Sequence, residues 1–287
     1  MWGSSFLLVK LAVTSIPPAT LVAARLAVAA VVLAGVLVAA GRQLPRSPRL
    51  WAFAAVMAAV GNAVPFWLIA WGQQTISSGL AGILMAVMPL VTLILAHGFV
   101  EGERLTGPRA VGFLIGFCGI LVLVGPEALL ELGGSGSSLM AQLAVLGGAV
   151  CYAVNAIIAR HRPPGDALEA AAAVAAMAAL MMIPAALVVD APWSVRPTAT
   201  AVAGVVVLGV VSTAIATVVY FKLIADAGPS FLSLINYLIP VWAVALGIAA
   251  LDEDPDWSAL VALALVLAGI GLSEVTRRRS ANAPHRL

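Results

Sequence analysis

Of the 287 residues, 62% are hydrophobic and 10% are charged, where a soluble domain carries about a quarter charged residues and under half apolar. Lipid is therefore the solvent of this chain, and a soluble enzyme is excluded. The small formal charge of +2 calls for no nucleic-acid partner, because the arginines serve as topology signals.

A hydrocarbon core of about 30 Å demands apolar helices of about 17 to 25 residues. Ten such runs follow one another: Met1 to Ile16, Ala19 to Ala40, Leu50 to Trp71, Gly79 to Val100, Ala110 to Pro126, Leu139 to Ala159, Leu168 to Val189, Ala199 to Leu223, Ser230 to Leu251 and Trp257 to Val275. None alternates with period two, and backbone groups in lipid must be satisfied within the segment. The expected class is an all-α polytopic membrane protein with ten spans. No loop exceeds about a dozen residues, so function must sit among the helices.

Arg42, Arg46, Arg49, Arg160, Arg162 and the tail arginines Arg277, Arg278 and Arg279 fall in loops of one parity, whereas the other parity holds Arg196. The positive-inside bias then places both termini in the cytoplasm. Cys118 and Cys151 lie in apolar runs without ligand spacing to the histidines, so no metal, disulfide framework or cofactor is expected.

Shifting the sequence by 150 lays WGSSFLLVK at 2–10 on YAVNAIIAR at 152–160, with Trp2 on Tyr152, Ser5 on Asn155 and Lys10 on Arg160. The register continues with Asn62 on Ser212, Pro89 on Pro240 after one inserted residue, and Glu103 on Glu253. Five spans per copy is odd, so the second copy enters the membrane inverted, the arrangement of secondary transporters whose substrate site lies between repeats. The expected units are a first repeat over 1–130, a second over 139–276 and a basic tail over 277–287. Leu139 to Val150 precede Tyr152 but have no counterpart before Trp2, which leads to the expectation that translation begins upstream of Met1.

The stretches WGSSFLLVKLAVTSIPPATLVAARLAVAAVVL, SSGLAGILMAVMPLVTLILAHGFVEGERLT and PSFLSLINYLIPVWAVALGIAALDEDPDWS resemble the first two, fourth and ninth helices of the EamA branch of the drug/metabolite transporter superfamily. Within it, the chain is most similar to the YddG-type exporters of amino acids and metabolites. The resemblance implies two inverted five-helix repeats around a central cavity and export of small organic solutes across a bacterial inner membrane. One departure is that no Asp or Glu lies deep in a span, so carboxylate-based proton antiport is not expected.

Intramembrane polar groups are the candidate site. Lys10 and Arg25 flank the first turn at equal distance and are candidates to attract a substrate carboxylate, the alternative being that they snorkel to headgroups. Trp2, Ser5, Asn62, Tyr152, Asn155 and Ser212 are candidate substrate-binding residues, with Met85, Met88, Asn236 and Tyr237 as an adaptable wall. Pro89 and Pro240 are candidate hinges. Glu103 and Glu253 are candidate gates, the former pairing with a basic neighbour such as Arg104, or else solvated loop residues. His97 is a candidate proton carrier or an interfacial histidine. The expected function is alternating-access export of amino acids with neutral or aromatic side chains, with small molecule and lipid as partners and a monomer or weak dimer as the assembly. Export of drugs or lipophilic cations, and flipping of lipid headgroups, stay open.

Overall fold

The computed structural model describes residues 4–101, 103, 105–130, 132, 136–232, 234–235 and 257–281, and among these every regular element is a helix. In chain order they are α1 Ser5–Ala12, α2 Pro18–Ala39, α3 Pro48–Gly72, α4 in two segments Ser78–Met85 and Met88–Phe99, and α5 Gly107–Leu130. They continue with α6 Ser137–Arg160, α7 Ala167–Val189, α8 Ala199–Ala227 and α9 Trp257–Ala281. Six described helices are long and apolar enough to cross a membrane, namely α2, α3, the Leu80–Phe99 stretch of α4, α6, α7 and α8. Shorter apolar stretches, Gly107–Val122 and Leu260–Ser273, lie in α5 and α9. The ninth apolar run falls mostly outside the described residues, as do Trp2, Arg104, Asn236, Tyr237, Pro240 and Glu253.

Helix starts follow local chemistry. Pro18 opens α2, where its missing N–H costs nothing. Ser77 and Thr198 accept backbone N–H bonds from Leu80 and Ala201 at the starts of α4 and α8. The Asp166 carboxylate accepts from Leu168 and Glu169 at the start of α7. The carboxylate of Asp190, just past α7, accepts the Thr20 N–H at 2.7 Å and so serves the first turn of α2.

Two helices widen in mid-course. The middle of α3 is a π-helix over Ala59–Ala63, and the middle of α8 is one over Val210–Ile215. In α3 the cause is Pro65: it has no N–H to give the Gly61 carbonyl four residues back, and its ring would press on that carbonyl. In α8 the wide turn carries a side-chain bond from Thr213 Oγ1 to the Leu208 carbonyl five residues back, at 2.8 Å, and Thr217 Oγ1 bonds the Thr213 carbonyl at 2.7 Å. Single π turns are rare and concentrate where a helix serves a site.

The helices pair as α2 with α7, α3 with α6, α1 with α8 and α5 with α9. The α5/α9 pair meets through glycine. A methyl group at Gly269 would stand 2.5 Å from the Gly112 carbonyl oxygen and 2.6 Å from the Gly116 nitrogen, so these backbones touch directly. The Gly112-x-x-x-Gly116 stripe is thus occupied within the chain, as small-residue stripes are in lipid, where close packing replaces the hydrophobic drive.

Candidate functional site

Helices α1, α2, α3, α4, α6, α7 and α8 surround a cavity of about 140 Å³. At about 10–15 Å³ per water this holds on the order of ten waters or one small solute. The sequence candidates Ser5, Arg25, Asn62, Met85, Met88, Tyr152, Asn155 and Ser212 all line it. They come from six helices, so no single stretch of chain could have formed the site.

The π segments supply one wall. Asn62 Nδ2 donates to the Met57 carbonyl five residues back at 3.4 Å, which turns the amide along the widened turn of α3. Ser212 and Thr213, in the widened turn of α8, line the same cavity. Asn155 on α6 donates Nδ2 to Tyr220 Oη at 2.7 Å. Its close approach to α3 depends on Gly61, where a methyl group would lie 2.2 Å from Asn155 Oδ1.

Arg25 is 5% exposed and does not snorkel. Its Nε donates to Thr213 Oγ1 at 2.7 Å, its Nη2 reaches the Ser212 carbonyl at 3.4 Å, and its guanidinium carbon stands 3.8 Å from the centroid of the Phe66 ring. That ring meets Tyr152 edge-on, with centroids 6.2 Å apart. A cation over an aromatic face, fixed by a hydroxyl, is held without an anion.

Lys10 goes elsewhere. Its Nζ donates to the Gln73 and Ile76 carbonyls at 2.7 and 3.0 Å, beyond the end of α3, and it is absent from the cavity lining. Neither headgroups nor a carboxylate is needed to satisfy it.

Glu103 is 8% exposed and pairs with Arg109 at 2.7 Å, so it is not a solvated loop residue, while Arg104 lies outside the described residues. Gly228, at φ +85°, makes room for it, since a methyl group there would lie 2.6 Å from Glu103 Oε1. His97 Nδ1 accepts the Leu105 N–H at 3.2 Å on an exposed surface, away from the cavity. Pro89 stands in the first turn of the second α4 segment, and the helix is interrupted at Ala86 and Val87 just before it. Met85 and Met88 flank that interruption and face the cavity.

Reading by repeat offset missed Phe66, Thr213, Thr217, Tyr220 and Phe221, all of which line the cavity. Tyr220 was the most legible of these, as the one phenol in its run; its position 150 residues earlier is Ala70, so the repeat concealed it.

The EamA-like transporter family matches residues 1–125 and again residues 139–274. The chain belongs to this family. It is a transmembrane transporter of the drug/metabolite type. A probable terminal-alkyne amino-acid exporter of Streptantibioticus cattleyicolor is 28% identical over 292 residues, covering 99% of this chain and 94% of its own. The uncharacterised inner membrane transporter YedA of Escherichia coli is 28% identical over 280 residues, covering 94% and 88%. The aromatic amino acid exporter YddG of Ancylobacter novellus is 26% identical over 208 residues, covering 69% and 68%. One solved crystal structure shares the fold with a TM-score of 0.73 at 23% identity, over 96% of each chain.

Proposed function

We propose that this EamA-family member exports small amphipathic metabolites, foremost amino acids with neutral or aromatic side chains, by alternating access. In this reading ten spans form two inverted five-helix repeats in a bacterial inner membrane, with both termini cytoplasmic and the substrate held between the repeats. The chain acts as a monomer or weak dimer. The observation that carries it is the convergence of Ser5 with Asn155 and of Asn62 with Ser212 on one cavity, each pair 150 residues apart in sequence. Further support comes from the double family match and from the occurrence of a π turn in both α3 and α8. Two relatives named as amino-acid exporters support the substrate class.

Transport draws on no nucleotide in this reading, because the sequence has no phosphate-binding glycine loop. Apolar side chains and a few convergent polar groups suit a solute with one polar and one apolar end. Arg25 in the lining disfavours lipophilic cations as substrates.

The test is uptake of radiolabelled leucine and phenylalanine into proteoliposomes, with and without an imposed pH gradient. Saturable uptake indifferent to the gradient is the expected result. Gradient-driven accumulation would direct attention to His97 as a proton carrier, and failure to carry any amino acid would overturn the substrate class.

A further inference from the structure

We propose that the cavity selects by net charge, binding monoanionic carboxylates more tightly than the zwitterions of the same carbon skeleton, and that Arg25 sets this preference. The proposal rests on the cavity being the transport site.

Four cations, Arg25 and Arg109 buried, Lys10 half-buried and Arg160 exposed, show how this chain satisfies positive charge. Lys10 and Arg160 end on backbone carbonyls beyond or at helix C-termini, and Arg109 ends on Glu103. Arg25 ends on a hydroxyl, a carbonyl at 3.4 Å and the face of Phe66, inside the cavity. No Asp or Glu is among the described lining residues. The sequence also places none deep in any apolar run, the stretch 230–251 included.

A guanidinium cannot shed its proton at accessible pH. Among the described residues no carboxylate compensates its charge when the cavity is empty. With Nε on Thr213 and one Nη2 hydrogen directed at the Ser212 carbonyl, the Nη1/Nη2 fork is left able to take a carboxylate end-on through two parallel hydrogen bonds. Met57, Met85 and Val174 offer apolar surface for the rest of the solute.

The charge balance then separates solutes. A monoanion brings the complex to neutrality. A zwitterion brings the same carboxylate but adds an ammonium that meets no carboxylate in a medium of low dielectric, where an unpaired charge is costly. An amine or amide without a carboxylate adds to the positive charge or leaves it uncompensated.

The test is isothermal titration of the purified full chain with 3-phenylpropionate, phenylalanine, phenylalanine amide and 3-phenylpropionamide. These share one aromatic skeleton and differ in charge. The expected order is 3-phenylpropionate tightest, at least roughly tenfold above phenylalanine, with phenylalanine amide weakest. Arg25→Met should bring 3-phenylpropionate and its neutral amide to similar affinity, while Arg25→Lys keeps part of the difference. Phenylalanine binding the wild-type chain as tightly as 3-phenylpropionate would overturn the charge preference and leave the cavity reading standing. Retention of the full preference in Arg25→Met would assign Arg25 to tying α2 and α8 together, and would also overturn it. If no member of the series binds, the cavity reading fails and the proposal with it. The wild-type series decides even if the methionine variant does not fold.

Discussion

Lys10 and Arg160 stand 150 residues apart and make the same kind of contact: Lys10 Nζ donates to carbonyls just past α3 at Gln73 and Ile76, and Arg160 Nη1 donates to the Ile224 and Ala225 carbonyls in the last turn of α8. A helix C-terminus exposes unpaired carbonyls and carries partial negative charge, so a cation there satisfies acceptors and opposes the dipole together. Lys10→Met should lower stability by about 0.3–2 kcal/mol without weakening substrate binding, and Lys10→Arg should restore most of the loss. Thermal unfolding and ligand titration on the same preparations check this. A loss of binding at unchanged stability would return Lys10 to the list of substrate contacts.

The α5/α9 contact predicts opposite outcomes for two neighbouring glycines. At Gly269 an added methyl group meets backbone at 2.5 Å, whereas at Gly271 nothing lies within 4 Å. Gly269→Ala should therefore destabilise the protein by about 1–3 kcal/mol, since backbone cannot swing aside as a side chain can. Gly271→Ala should be neutral or stabilising by about 0.5–1 kcal/mol, because alanine loses less chain entropy in a helix. Comparable unfolding temperatures for the two variants would show that α5 and α9 do not meet in this way.

The π turn of α3 is attributed to Pro65. Pro65→Ala restores an N–H for the Gly61 carbonyl, so α3 should relax toward regular α-helix, raising the unfolding temperature and turning Asn62 away from the cavity. Transport in proteoliposomes should then fall toward that of Asn62→Leu, which removes the amide alone. An alanine variant that is stabilised yet transports at the wild-type rate would show that the wide turn is not needed for transport.

Outside the spans, the Arg42 guanidinium bonds the Asp166 carboxylate and chiefly holds its pKa below the ordinary range, assisted by the Leu168 and Glu169 N–H groups. A carboxylate depressed in the folded state contributes its stabilisation in full above its unfolded value of about 3.9 and loses it as the pH falls through the lower folded value. The unfolding temperatures of the wild type and Asp166→Asn should thus differ by a constant amount from neutral pH to about 5 and converge below about 4. A gap that does not narrow as the pH falls below about 4 would place the effect of the substitution in something other than the carboxylate charge. Because both side chains are well exposed, the gap should shrink in high salt.

Much of this molecule was legible in the residues alone, for two physical reasons. Lipid forces apolar runs to become helices, so α2, α3, α6, α7 and α8 follow directly from hydropathy. The offset of 150 then singled out Ser5, Asn62, Asn155 and Ser212 before any contact between them was known. Tertiary structure decided what one-dimensional spacing leaves degenerate. Lys10 and Arg25 are equally far from the first turn and so equivalent by depth, yet they differ in the direction they face: one reaches the carbonyls beyond α3, the other enters the cavity over Phe66. Direction depends on the rotation of each helix and on its neighbours, and π turns shift that rotation by amounts hydropathy does not register. The joining of Glu103 to Arg109, and the use of the Gly112 stripe against α9, were set in the same way by which surfaces the packed chain brings within reach.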